Sequence, residues 1–241
     1  MNAFQFGQPS WTDAYAFSSW GQTIVNTNDV VVFPLETAAS TTGWTSFSAT
    51  VQGVQGEAAF QTRLGQGDIQ RVMIIQPGTN FGGTAYMGPG TLPNFPSYQR
   101  EQGGAIFWGT MVHELGHNLG LSHAGGRTRS GSYQQYQDDA LMGYQRNHRI
   151  ADMNVISRYQ LGWIPIREVA SYPSVLYTTL RALNEGISAT DGAVLSYIVP
   201  CSFCESRAQP GATGGHLYIS LRVADATARY GVSNSVSLYP I

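Results

Sequence analysis

Hydrophobic positions along the chain recur at two spacings. They predict helices mixed with strands through the first two thirds and strands alone in the last third. The segment "WTDAYAFSSWG" predicts a helix near residue 11, and the run "VVVFPL" at 30–35 predicts a buried strand. Next, "GEAAFQTRL" has helical spacing, and "IQRVMIIQP" reads as a strand stopped by Pro77. In "NFGGTAYMGPG" the short extended piece Thr84, Ala85, Tyr86 and Met87 lies between paired glycines and suits an edge strand. A second internal helix is predicted from Asp152 as N-cap through "MNVISRYQL" to Gly162 as the residue that ends it. Beyond it, "SVLYTTL", "AVLSYIV", "HLYISLRV" and "SVSLYP" alternate or are β-branched between Gly, Pro, Asn and Asp clusters, which predicts an antiparallel tail.

The strongest helical pattern is "GGAIFWGTMVHELGHNLG". On a helical wheel Trp108, Met111, Val112, Leu115 and Leu119 share one side, while Ile106, Thr110, His113 and His117 share the other. The apolar stripe is expected to face a core and to aim the histidines into a cleft.

Composition removes several function classes. Of the 241 residues 42% are hydrophobic, enough for a core without staples, and only 12% are charged. A net charge of −2 gives no electrostatic footprint for nucleic acid or an anionic membrane. No apolar run reaches the length of a membrane span, and the start lacks the pattern of a signal peptide. If the protein is secreted, the expectation is a mature or trimmed chain with an added Met1. All 13 basic residues are arginine, which reads as coding bias or avoidance of lysine-directed proteolysis rather than selection for anion contacts. The pair Cys201 and Cys204 in "CSFC" leaves a local disulfide, free thiols and a redox or metal role open.

Three of the chain's five histidines fall in "HELGHNLGLSH", residues 113–123. His113 and His117 at i and i+4 stack on one helix face, so both imidazoles can reach one ion about 2.0–2.1 Å away. In an unbroken helix His123 would lie about 9 Å beyond His117 and off that face. Gly120 supplies the break, because glycine takes the helix-ending left-handed conformation without steric cost. Three histidines leave a fourth position for water, the arrangement of a catalytic rather than a structural zinc. Glu114 then flanks the metal without binding it, placed to take a proton from water and to return it to a leaving amine. In shuffled chains of this composition the full pattern arises about once in a hundred thousand, so chance is set aside.

HExxHxxGxxH resembles the zinc signature of the metzincin metallopeptidases, a clan with a methionine turn further along the chain. Here "ALMGY" places Met142 nineteen residues after His123. Tyr144 completes the Met-x-Tyr pattern of the astacin-like and serralysin-like branches, where it approaches zinc or helps to hold the oxyanion. The wider likeness is to the gametolysin family of extracellular matrix-degrading peptidases. It is carried by "HELGHNLGLSHAG", "LMGY" and "RYQLGWIP", and more weakly by "SSWGQT" and "LYISLRV". Ala124 stands where adamalysin- and reprolysin-like members carry Asp, which argues against those branches.

The resemblance implies an α+β, zincin/metzincin-like catalytic domain with a twisted mixed sheet, an active-site helix and a β-rich C-terminal part. Residues 1–123 would form its N-terminal subdomain, 124–170 the C-terminal subdomain with the Met-turn, and 171–241 an extension packed on them. It further implies a secreted zinc endopeptidase, expected to be a monomer, whose protein or peptide substrate binds extended. The edge Thr84, Ala85, Tyr86 and Met87 is the expected platform. The alternative is a zinc-containing matrix- or wall-binding module with little or no proteolysis, and a hydrolase of another amide is a third reading. Asp138 and Asp139 fit a calcium (Ca2+) site or a solvated turn pair equally, and His148 and His216 read as ordinary histidines.

Overall fold

A computed structural model describes residues 11–26, 28, 30, 32, 53, 56–66, 71–77, 83–88, 97–101, 108–127, 133, 134, 136, 140–143, 153–169, 179–183, 194–205, 213–222 and 235–240. The class is α+β, and the chain divides into two compact units: residues 1–12 with 25–123, and residues 13–24 with 124–241.

The first unit holds helix α2 (Ala58–Gly65), strands β1 (Met73–Pro77), β2 (Gly83–Ala85) and β3 (Ser97–Glu101), and helix α3 (Trp108–Asn118). β1 runs parallel to β3, from Met73 opposite Ser97 to Pro77 opposite Glu101. β2 pairs antiparallel with the other edge of β3, with Gly83 opposite Gln99 and Ala85 opposite Ser97. The order β1-β3-β2 makes a small mixed sheet with β2 at an edge among the described residues. Thr84 and Ala85 are therefore strand residues, whereas Tyr86 is irregular and Met87 lies in a bend.

Helix α3 packs on β2 and β3. Met111 and Val112 are buried as the wheel predicts, but His113, Glu114, His117 and Asn118 are buried too. The polar side of the helix is thus buried along with the apolar side.

The second unit contains helix α1 (Trp11–Ser18) from Asp13 onward, the short hairpin β4 (Gly126–Arg127) and β5 (Tyr133–Gln134), and helix α4 (Val155–Gln160). A four-stranded sheet follows: β6 (Arg167–Glu168), β7 (Ser196–Glu205), β8 (Thr213–Arg222) and β9 (Ser235–Pro240), in that order. β7, β8 and β9 are antiparallel neighbours as the tail pattern predicts. β6, which the sequence reading left unassigned, joins the sheet parallel to β7. Of "SVLYTTL" only Thr179 and Leu180 are described, and Leu180 makes a parallel bridge to Val194. Cys201 is buried on β7 and disulfide-bonded, which rules out a free thiol there.

Helix α4 starts later than predicted. Asn154 is its N-cap, with a side chain that accepts from Ser157 N–H, while Asp152 lies outside the described residues. The Met153 N–H, which precedes the first turn, donates to Ser18 Oγ of α1 at 3.1 Å. Arg158 is fully buried and ties the unit together. Its Nε donates to Met153 O at 2.9 Å, its Nη1 donates to Leu183 O at 3.1 Å, and its guanidinium sits 5.4 Å from the Trp20 ring centre. The segment 13–24 is stitched in by Trp20 Nε1 to Leu183 O (3.1 Å), Gln22 Nε2 to Trp163 O (2.7 Å) and the Tyr15 ring set edge-on to Trp163.

The run "VVVFPL" gives a further correction. Val30 and Val32 are its two described residues, and neither is in a strand; Val32 is 72% exposed. At these two residues β-branched composition alone does not make a buried strand; the rest of the run lies outside the described residues.

Candidate metal centre

The turn that ends α3 builds the site. Gly120 has φ of 92°, and two hydrogen bonds close a Schellman cap: Gly120 N–H donates to His117 O at 2.9 Å, and Leu121 N–H donates to Gly116 O at 3.0 Å. With the chain reversed there, His123 returns to the helix face that carries His113 and His117.

His117 Nε2 lies 3.2 Å from His113 Nε2 and 3.0 Å from His123 Nε2. All three ligand atoms fall within 4.8 Å of one another. Four nitrogens around one ion at 2.0–2.1 Å stand about 3.3 Å apart, so the observed separations fit a shared cation. His113 and His117 are buried and His123 is half-buried, which leaves one side of the group open.

The same turn fixes the chemistry of the central ring. His117 Nδ1 is 2.7 Å from Leu121 O. A carbonyl only accepts, so Nδ1 carries the proton, and in the neutral ring the Nε2 lone pair is bare. Burial lowers the pKa of His117 and favours that neutral ring, while the bond to Leu121 O acts in the opposite direction. A bare nitrogen aimed at two further imidazoles is a ligand set in search of a cation.

Glu114 is the residue after the first of these histidines and is 5% exposed. Burial pushes its carboxyl up to about 8 from an ordinary 4.5. Its Oε2 is buried and meets no hydrogen-bonding atom among the described residues. Burying a carboxyl without a partner is costly, so this atom marks room for a polar group that the chain does not supply. The donor set and the orphaned oxygen both fit a catalytic zinc.

Two hydrogen bonds tie α3 to the stretch after β2. Gly88 N–H donates to His117 O at 2.8 Å, and Asn118 Nδ2 donates to Tyr86 O at 2.9 Å. The Tyr86 carbonyl is thus engaged by the helix. Sequence reasoning did not find Asn118 or the Leu121 carbonyl in these roles; Gly120 was the single sign of the turn that sets the second.

The remaining candidates stand elsewhere or outside what is described. Met142 is fully buried, and its carbonyl accepts from Ala124 N–H at 2.7 Å, which anchors the residue after His123. His216 is exposed on β8 and lines a cavity with Tyr159, Glu168, Ile198 and Tyr218. Tyr144, Asp138, Asp139 and His148 lie outside the described residues.

No helix among the described residues is long and apolar enough to cross a membrane. No curated protein and no protein of solved structure matches the chain. A model of the gametolysin peptidase M11 family does match, over residues 6–230, which takes in both units and the three-histidine group. The chain therefore belongs to the gametolysin family of metallopeptidases.

Proposed function

We propose that the protein is a secreted, zinc-dependent endopeptidase of metzincin type that cleaves extracellular matrix or wall proteins. The observation that carries this reading is the convergence of three imidazole nitrogens within 4.8 Å, with the orphaned Oε2 of Glu114 on the helix that carries His113 and His117. His113, His117 and His123 would hold the zinc. When bound, zinc supplies Lewis acidity, which polarises a carbonyl and eases the ionisation of water.

The chain's own groups would do the rest. Glu114 takes a proton from the attacking water on its carboxylate and delivers it to the departing amine. A buried carboxyl holds a proton more readily than an exposed one, which suits the return half of that cycle. The Leu121 carbonyl keeps His117 in the tautomer that binds through Nε2. Tyr144 donates its phenolic O–H to the oxyanion as the carbonyl carbon becomes tetrahedral. Met142 forms the Met-turn.

The peptide would lie extended along β2, adding a strand at Thr84 and Ala85. Because Asn118 engages the Tyr86 carbonyl, Tyr86 and Met87 contribute side-chain contacts rather than ladder hydrogen bonds. Strand addition reads backbone more than sequence, which favours a broad peptide specificity.

The test is digestion of casein or gelatin by the purified chain, with and without 1,10-phenanthroline, beside the Glu114→Gln variant. Cleavage that requires zinc and vanishes in Glu114→Gln, with metal content unchanged, supports the proposal. A variant that retains near-native turnover sinks the assignment of Glu114, and a metal-replete protein that cleaves nothing favours a binding module.

A further inference from the structure

The backbone does not ask for a glycine at position 83. Its φ lies outside the left-handed region, and it pairs with Gln99 in an ordinary antiparallel ladder. Glycine inside a strand loses more conformational entropy on folding than any other residue and packs no side chain. The reason for it here is spatial. A Cβ on Gly83 would lie 2.5 Å from Glu114 Oε1, 2.6 Å from Cγ and 2.8 Å from Cδ. Real Cβ atoms do not come so close, so the side chain of Glu114 occupies the volume that any other residue at 83 would fill.

Neither partner can step aside cheaply. β2 is paired to β3 through all three of its residues, and just beyond it Tyr86 O and Gly88 N–H are bonded to α3. Turning the carboxylate about its last bond does not help, because Cγ is in the contact as well as Oε1. Relief requires a new rotamer for a side chain that is 5% exposed.

We infer that Gly83 is a positioning residue for Glu114: its bare Cα is the stop against which the side chain rests, and any substituent there moves the carboxyl. The consequence for turnover rests on the general-base reading of Glu114 given above. The contact itself does not.

Two mutant cycles test it. In metal-free protein Gly83→Ala should lower the Tm by about 3 °C or more when Glu114 is present. With Glu114→Ala it should leave the Tm unchanged or raise it, because the methyl then enters vacated space and the strand sheds a glycine. Equal losses in the two backgrounds, or no loss in either, overturn the contact.

In zinc-loaded protein Gly83→Ala should reduce kcat by about tenfold or more, with KM and metal content within about threefold of wild type. In the Glu114→Ala background the residual turnover should fall by less than about threefold on the same change, because the side chain that a methyl at 83 would displace is gone. Equal factors in the two backgrounds overturn the positioning role. Should Glu114→Gln keep native turnover, the general-base reading falls and the positioning role falls with it, while the melting cycle still decides the contact.

Discussion

With the metal stripped by a chelator, replacing Glu114 by glutamine should stabilise the protein near neutral pH. Burial holds the folded carboxyl protonated up to about 8, against 4.5 in the unfolded chain. Between those values the folded state keeps a proton that the unfolded chain releases. The stability tied to this group is therefore complete below pH 4.5 and is lost progressively as pH rises to about 8. Each pH unit in that window is worth about 1.4 kcal/mol, so by pH 7 the loss is about 3 kcal/mol. Glutamine has no proton to release, and its buried amide costs about 1–2 kcal/mol at every pH. Wild type should be the more stable of the two near pH 5 and the less stable near pH 8. Urea unfolding of both chelated proteins at pH 5, 6, 7 and 8 measures the difference directly, since every other titrating group is common to the pair. A difference that does not change across that series refutes the reasoning. Adding zinc should remove most of the wild-type loss, because a cation favours the ionised carboxyl.

Three other outcomes follow from the structure. His123→Ala should loosen zinc binding by more than the roughly 10–100-fold typical of losing an orienting partner, measured by competition with a chromophoric chelator; stoichiometric binding at wild-type affinity would count against the three-histidine site. Gly120→Ala forces a side chain into the left-handed φ of 92° and should cost about 1–2 kcal/mol in thermal unfolding, with slower zinc uptake, and an unchanged melt would argue against the turn. Arg158→Met removes the donor to the buried Met153 O while Leu183 O keeps Trp20, so it should destabilise by about 2–4 kcal/mol in urea, and a shift under about 1 kcal/mol would show that the guanidinium is not needed there.

The three-histidine group was legible where its logic is local. His113 and His117 are set by helix periodicity and Gly120 by backbone sterics, and each needs only a few residues of context. The antiparallel β7, β8 and β9 were legible because alternation and turn residues agree along them. What escaped depends on contacts distant in sequence or on atoms without an identity in the sequence. The Leu121 carbonyl is a backbone group, and every residue has one. The contact of Gly83 with Glu114 links positions 31 apart, so a glycine that looks like a turn residue is a packing residue. That the α4 cap falls on Asn154 rather than Asp152 escaped because both residue types cap well, and only the bond from Ser157 N–H to the Asn154 side chain distinguishes them.

The stretch 13–24 belongs to a unit whose other residues come after 123. Its hydrogen-bond partners Met153, Trp163 and Leu183 are 135 to 163 positions further along. At about 5–20 residues per second, a ribosome completes them some 7–30 s after residues 13–24 are made. Tyr15 and Trp20 must wait through that interval, an aromatic strip that a chaperone can hold or a protease can cut. A nascent chain halted before Leu183 would leave the strip without its final anchor, and a fragment begun at Ala124 would lack it altogether. Synthesis of this protein is thus bound to a late closure in which helix α1, made early, is among the last elements to dock.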